Sequence, residues 1–192
     1  LYHRSIGAEF FFVFLIVVIS VVVVIIGQHK RGRFPSIVLK VTGGGGTIGS
    51  VLARQCARMN PASLTLLDAS EYNLYEVDLT LRREFPNLRI NTELGDVRDD
   101  VRLESVTRQF KPDIIIHAAA LKHVPLMEHN VCEAILTNVG GAMKTARAAR
   151  LGNVEKLVFV STDKAVNPDN VMGATKRLAE LAMSRQAHSS NL

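Results

Sequence analysis

From Ser36 onward the chain alternates short apolar runs with longer stretches in which apolar residues recur at helical spacing. A strand buried on both faces reads as a continuous apolar run, whereas a helix repeats its apolar face every 3–4 residues. On this basis strands are predicted at 36–41, 63–67, 88–92, 113–117 and 156–160. Helices are predicted at 47–59, 71–84, 101–110, 132–151 and 173–185. Five successive strand–helix units argue for an α/β fold, a doubly wound parallel sheet with helices on both faces. Runs such as Ile114-Ile115-Ile116 fit strands covered from both sides. No sequence repeat of roughly 20–50 residues accompanies this architecture.

Before the alternation begins, Phe10 to Gly27 is almost wholly apolar, with Ser20 its one polar residue. As a helix this run would rise about 27 Å, close to the hydrocarbon thickness of a bilayer. Lys30, Arg31 and Arg33 follow at once, whereas His3, Arg4 and Glu9 lie on the other flank. This charge asymmetry places the C-terminal side in the cytoplasm. The favoured reading is a transmembrane anchor with a basic juxtamembrane linker over residues 1–34, and a cytoplasmic domain over 35–192. A secretory signal and a long buried strand, since Val21 to Ile26 is β-branched throughout, remain the other readings.

Composition adds boundaries rather than a function. The 192 residues have room for one domain and a short appendage, and 47% hydrophobic content is ample for a core. The net charge of +5 is spread among acidic residues, except for the block at His29, Lys30, Arg31 and Arg33. Nucleic-acid binding normally requires a basic stripe or a recognisable module, and neither follows that block. Cys56 and Cys132 lie far apart, without metal-ligand spacing, and read as reduced thiols. The chain begins at Leu1 and stops at Leu192 soon after a helical stretch, so it is read as a piece of a longer protein.

Chemistry enters at the first strand–helix junction. Thr42-Gly43-Gly44-Gly45-Gly46-Thr47-Ile48-Gly49 places glycines at three-residue intervals between an apolar strand and a helix. In a dinucleotide-binding turn, Gly43 would allow the tight bend, Gly46 would let the backbone approach a pyrophosphate, and Gly49 would permit close packing. The backbone of Thr47 and Ile48 would present the helix N-terminus, a positive dipole end, to the phosphates. Asp68 ends the second strand about twenty residues later, where a carboxylate accepts from ribose hydroxyls and repels a 2′-phosphate. The expected fold is therefore Rossmann-type, with NAD preferred over NADP. Asp96 and Val97 after the third strand, and Ala118 and Ala119 after the fourth, occupy the carboxyl ends where such sheets bind ligands.

Several longer blocks resemble one family. Thr42-Gly43-x-x-Gly46-x-x-Gly49, Asp96-Val97-Arg98-Asp99, His117-Ala118-Ala119-Ala120 and Ser161-Thr162-Asp163-Lys164 are similar to extended short-chain dehydrogenases/reductases. Leu121-Lys122-His123-Val124-Pro125-Leu126-Met127-Glu128 and Asn167-Pro168-x-Asn170-Val171-Met172-Gly173-Ala174-Thr175-Lys176 narrow the resemblance to CapD-like polysaccharide-biosynthesis proteins, over about residues 37–181. These are nucleotide-sugar 4,6-dehydratases, many of them membrane-anchored, with UDP-N-acetylglucosamine as the default substrate. The resemblance implies hydride transfer from sugar C4 to NAD, loss of water across C5 and C6, and return of the hydride to C6. It also implies a homo-oligomer, and a C-terminal substrate subdomain that would lie beyond residue 192.

The same resemblance assigns roles. Thr162 would hydrogen-bond near the C4 oxygen, and Asp163 with Lys164 would perform the elimination. Adjacent residues of a strand face opposite ways, so this pair must sit on a turning segment beyond Val160 to converge. Lys176 matches the lysine that holds the nicotinamide ribose. Position 172, one helical turn earlier, carries Met where most of the superfamily has Tyr. A thioether cannot shuttle a proton, which makes Asp163 the candidate base at C4. Lys122 and His123 would line the sugar site, and Asn138 corresponds to an asparagine that supports the active-site network. Glu128 reads equally well as a helix cap. A 4-epimerase and a non-catalytic NAD-binding scaffold are the alternatives. An epimerase would be favoured by Tyr at 172 and no acid–base pair at 163–164, while Met172 and the chain's extent speak for the scaffold.

Overall fold

The computed structural model describes residues 36–188. The apolar run 10–27, and with it the expected anchor, lies outside the described residues. Among those residues no helix is long and apolar enough to cross a membrane.

Five strands form one sheet: β1 (Val38–Thr42), β2 (Ser63–Asp68), β3 (Ile90–Leu94), β4 (Ile114–His117) and β5 (Lys156–Phe159). All four pairings are parallel, in the order β3-β2-β1-β4-β5. The order reverses at β1, between β2 and β4, so the carboxyl ends of these strands open a crevice there. The helices between them are α1 (Thr47–Arg58), α2 (Glu71–Glu84) and α3 (Asp100–Phe110). After β4 come a short α4 (Val124–His129) and α5 (Val131–Ala134), which runs through a π-helical turn (Ile135–Gly140) into α6 (Gly141–Leu151). A 3₁₀ turn (Asp163–Ala165) and α7 (Val171–His188) follow β5.

Alternation along the strands divides the core in two. Leu39, Val41, Leu64, Leu66, Ile114 and Ile116 face α1 and α2, where they pack with Leu52, Ala53, Cys56, Leu74 and Leu81. On the other face Leu67 packs with Val97, Leu103, Val106 and Ala148, which puts α3 and α6 there. That second face is more polar than continuous apolar strands suggest. Lys40, Thr42, Thr65 and His117 are all fully buried on it. Each finds a partner: Lys40 Nζ donates to Thr107 Oγ1 at 2.9 Å, Thr42 Oγ1 meets His117 Nδ1 at 2.7 Å, and Asn91 Nδ2 donates to Thr65 Oγ1 at 3.3 Å. Burial pushes the Lys40 ammonium down to about 8, with Arg102 adding to the depression and Glu93 opposing it. β5 is half-buried along its length and, among the described residues, pairs only with β4.

Helix starts explain much of the local order. Ser70 caps α2 by accepting from Asn73 N, and Asp99 caps α3 by accepting from Arg102 N. α1 begins at Gly46 without any side-chain cap. Its first-turn amides therefore stay open to a ligand.

Two expectations shift. The third strand lies at Ile90–Leu94, two residues later than its apolar content suggests, paired in register with Leu64 to Asp68. The helix expected from Cys132 to Leu151 is interrupted by the π turn, which holds Asn138, 1% exposed, in the interior. Such a turn adds a residue to the helix, a feature recurrent at functional sites.

Candidate functional site

The glycine turn is built by steric necessity. Gly43 has φ +73°, and a Cβ there would lie 2.5 Å from Ala119 N. No side chain tolerates both conditions. The turn is tied to β2 by Gly43 N and Gly44 N, both donating to Leu67 O. A Cβ on Gly49 would fall 1.8 Å from Gly43 O, so α1 sits directly against the turn. Gly46 is different: its Cβ would meet Gly43 O at 3.3 Å and nothing else nearby, leaving its outer side open.

Asp68 completes the turn. Its Oδ2 accepts from Gly45 N at 2.8 Å and its Oδ1 from Ser70 N at 2.9 Å. Each carboxylate oxygen keeps acceptor capacity for a hydroxyl donor.

Two cavities open on either side of this turn. The smaller, about 430 Å³, is bounded by Gly43, Gly46, Asp68, Asp96, Val97 and Ala119. Asp96 is gripped by Arg98, whose Nε donates to Oδ2 at 2.8 Å and whose Nη1 reaches Glu133 at 2.7 Å. The Arg98 hydrogen bond holds the Asp96 carboxyl below its usual range. The larger cavity, about 640 Å³, falls within the size usual for small-molecule and cofactor sites. Its walls bring Thr47, Ile48, Gly49 and Lys122 together with Thr162, Asp163, Lys164, Met172 and Lys176. The cavities meet at Gly46, Asn73, Ala118 and Ala120.

The turning segment that the strand geometry required is the 3₁₀ turn at Asp163. Thr162 caps it: its Oγ1 accepts from Lys164 N at 3.4 Å and donates to Asp163 Oδ1 at 2.9 Å. Lys164 Nζ lies 3.8 Å from the same oxygen, with both side chains half exposed. The Thr162 hydrogen bond, helped by Lys164, holds the Asp163 carboxyl below its usual range. Asp163 is therefore ionised at neutral pH.

α7 delivers the remaining pair. Met172 is 4% exposed and packs against Met127 and Ala134 while lining the cavity. One turn on, Lys176 is 5% exposed, and its Nζ donates to Val160 O at 3.0 Å. Burial lowers the lysine to about 8, with Glu180 opposing. The start of α7 is fixed by Glu128, whose Oε1 accepts from Val171 N at 2.8 Å, so Glu128 caps α7.

Three residues expected near a sugar separate. Lys122 lies on the cavity wall, with Nζ 3.2 Å from Thr47 Oγ1, beside the glycine turn. His123 lines neither cavity and precedes α4 at its N-cap position. Asn138 also lines neither: its Oδ1 accepts from Leu121 N, and its Nδ2 donates to Leu121 O and Thr175 Oγ1. It joins the β4 loop to α7 beneath the site. No sequence signal singled out the contacts of Arg98, Asn73 and Phe159. Arg98 stood inside a quoted block, but its grip on Asp96 depends on a loop conformation that spacing does not encode.

A protein family described as "Polysaccharide biosynthesis protein" matches residues 38–191. The capsular polysaccharide biosynthesis protein CapD of Staphylococcus aureus is 45% identical over 144 residues, 74% of this chain and 24% of that protein. A UDP-N-acetylglucosamine 4,6-dehydratase (inverting) of Campylobacter jejuni is 37% identical over 71% of this chain and 39% of its own length. Among solved structures, the dTDP-glucose 4,6-dehydratase DesIV of Streptomyces venezuelae, with NAD and TYD bound, superposes with a TM-score of 0.70 at 27% identity. That likeness covers 81% of this chain and 53% of DesIV. The chain thus spans about a quarter to two fifths of these curated relatives.

Proposed function

The chain belongs to the polysaccharide biosynthesis protein family, and on that premise we propose that it forms the NAD-binding part of a nucleotide-sugar 4,6-dehydratase. The observation that carries the reading is the larger cavity, where Thr162, Asp163 and Lys164 face the glycine turn across the same space as Lys176. The named dehydratases among its relatives and structural neighbours support the same reaction class.

The residues fit NAD on their own terms. The uncapped start of α1 offers open amides for a pyrophosphate. Asp68 accepts from ribose hydroxyls and disfavours a 2′-phosphate, which selects NAD over NADP. Bound there, NAD would supply a reversible store for one hydride, so the reaction consumes no cofactor. Lys176 serves the nicotinamide ribose, and Ala118 and Ala119 let the cofactor lie close to β4.

The sugar half uses the 3₁₀ turn. Thr162 orients the C4 oxygen. Asp163, ionised at the start, takes the C4 hydroxyl proton that Met172 cannot accept. The protonated carboxyl is then the acid that a departing C6 hydroxyl requires, and the C5 proton passes to Lys164 as the neutral amine, the form that has a lone pair to accept it. UDP-N-acetylglucosamine is the proposed substrate. The apolar run at 10–27 remains part of the proposal as a membrane anchor, with residues 35–192 on the cytoplasmic side.

Asp163→Asn tests the assignment. Keto-sugar formation, measured in the full-length protein with UDP-N-acetylglucosamine, should fall to background while NADH binding stays unchanged. Retained turnover would remove Asp163 from the mechanism.

A further inference from the structure

Lys176 is held by more than its own helix. Its ammonium lies 4.7 Å from the centre of the Phe159 ring, within cation–π range, and donates to the Val160 carbonyl. The Phe159 ring in turn stacks on His117, with centroids 5.7 Å apart and planes at 16°. The two rings are directly paired across β4 and β5. His117 is fixed by Thr42, the residue immediately before the glycine turn. A column of side chains therefore runs from the turn, through two aromatic rings, to the lysine in the cavity wall.

We propose that Phe159 is the positioning residue for Lys176: its ring, held by stacking on His117, fixes the ammonium at one place on the cavity wall and favours its charged form. The functional consequence rests on the NAD reading, because the ammonium donates to the cofactor ribose only from that place.

The charges around Lys176 support this division of labour. Glu180 and Arg177 lie on its own helix, where Glu180 is shared between Ser161 and Arg177. Asp163 and Lys164 come from the 3₁₀ turn, and Lys122 from the β4 loop. His117 comes from β4, with Lys40 behind it on β1. Burial, then Lys176 and Lys40, push His117 down to about 3, so it brings no positive charge to the column. The Val160 carbonyl at 3.0 Å and the Phe159 ring face at 4.7 Å are the negative potentials in contact with the ammonium, and Glu180, hydrogen-bonded to Ser161 and Arg177, adds through its charge alone. Removing that face should lower the lysine's midpoint from about 8.

The test is a titration of the 192-residue chain carrying isotope-labelled lysine, followed by NMR. The Lys176 signal is identified by its loss in Lys176→Arg. A ring-trifluorinated phenylalanine at position 159 keeps the shape but weakens the negative face. It should lower the Lys176 midpoint by roughly 0.5–1 pH unit, while Phe159→Tyr should leave it in place. An unchanged midpoint in the fluorinated protein would overturn the proposal. Because the fluorinated ring is close to isosteric, the test does not depend on Phe159→Leu folding. NADH binding across the same pH range separates this claim from the one beneath it. A midpoint that moves in a chain that binds no NADH would refute the NAD reading and leave the positioning role standing. Normal NADH binding with no shift would refute the positioning role alone.

Discussion

Gly49 and Gly46 belong to the same glycine turn yet should fail in different ways. Alanine at position 49 would put Cβ 1.8 Å from the Gly43 carbonyl oxygen, and the gap must open to at least 3.0 Å. That oxygen has little freedom. Gly43 is locked at φ +73°, its N–H bonds Leu67 O, and its carbonyl accepts from Gly46 N at 3.1 Å. Overpacking of this kind costs about 1–3 kcal/mol, and here the obstacle is backbone, which points to the upper half. Replacing glycine by alanine inside a helix returns about 1 kcal/mol. The net expectation for Gly49→Ala is a loss of roughly 1–2 kcal/mol, or about 2–8 °C in Tm for a domain of this size. NADH affinity should fall with it, because the start of α1 moves. For Gly46→Ala the new Cβ meets Gly43 O at 3.3 Å, and φ of −69° suits alanine. Stability should change by less than about 1 kcal/mol, the loss of a glycine N-cap. NADH affinity should nonetheless drop about tenfold or more, because the methyl group occupies the pyrophosphate approach. Urea denaturation with parallel NADH titration reads both effects. A Gly49→Ala protein as stable as the parent, or a Gly46→Ala protein with full affinity, would refute the division.

The buried basic side chains make two further predictions, both readable by denaturation against pH. His117 is held near 3 in the fold against an ordinary 6.5, so the unfolded chain binds the extra proton. Stability should therefore fall as pH drops below 6.5 towards 3, by up to about 1.4 kcal/mol per unit, and His117→Asn should flatten this acid limb. Lys40 and Lys176 are lowered to about 8 from 10.5, so stability should rise with pH through that window. Lys40→Met should stabilise the domain at pH 7 and remove one share of the rise; an unchanged slope would show that Lys40 is not depressed.

The architecture was legible because it follows from periodicity. Five apolar runs separated by helical spacing admit few arrangements, and a right-handed parallel sheet is the one that buries them. The expected helix at Glu71–Glu84 matches the observed one residue for residue, helped by a serine that caps and a glutamate in the first turn. The bend of the glycine turn and the placement of Asp68 beside it were legible for a related reason, since both follow from backbone constraints at fixed spacing. The convergence of Asp163 and Lys164 required a turn after β5, and the turn is there.

Sequence alone therefore determined the sheet, the glycine turn after β1 and the turn after β5. Tertiary structure decided whatever depended on residues far apart in the chain. It assigned Asn138 to a bond with Leu121 and Thr175 by way of a π turn that no pattern of apolar residues announces. It placed Lys122 beside Thr47, 75 positions away, and left His123 off both cavity walls. It also made a buried lysine of Lys40, whose neighbours in sequence mark it only as an interruption in an apolar strand. The physical reason is common to all of these. Backbone geometry and burial periodicity are written locally, whereas a buried polar side chain takes its meaning from partners that meet it only after the sheet has closed.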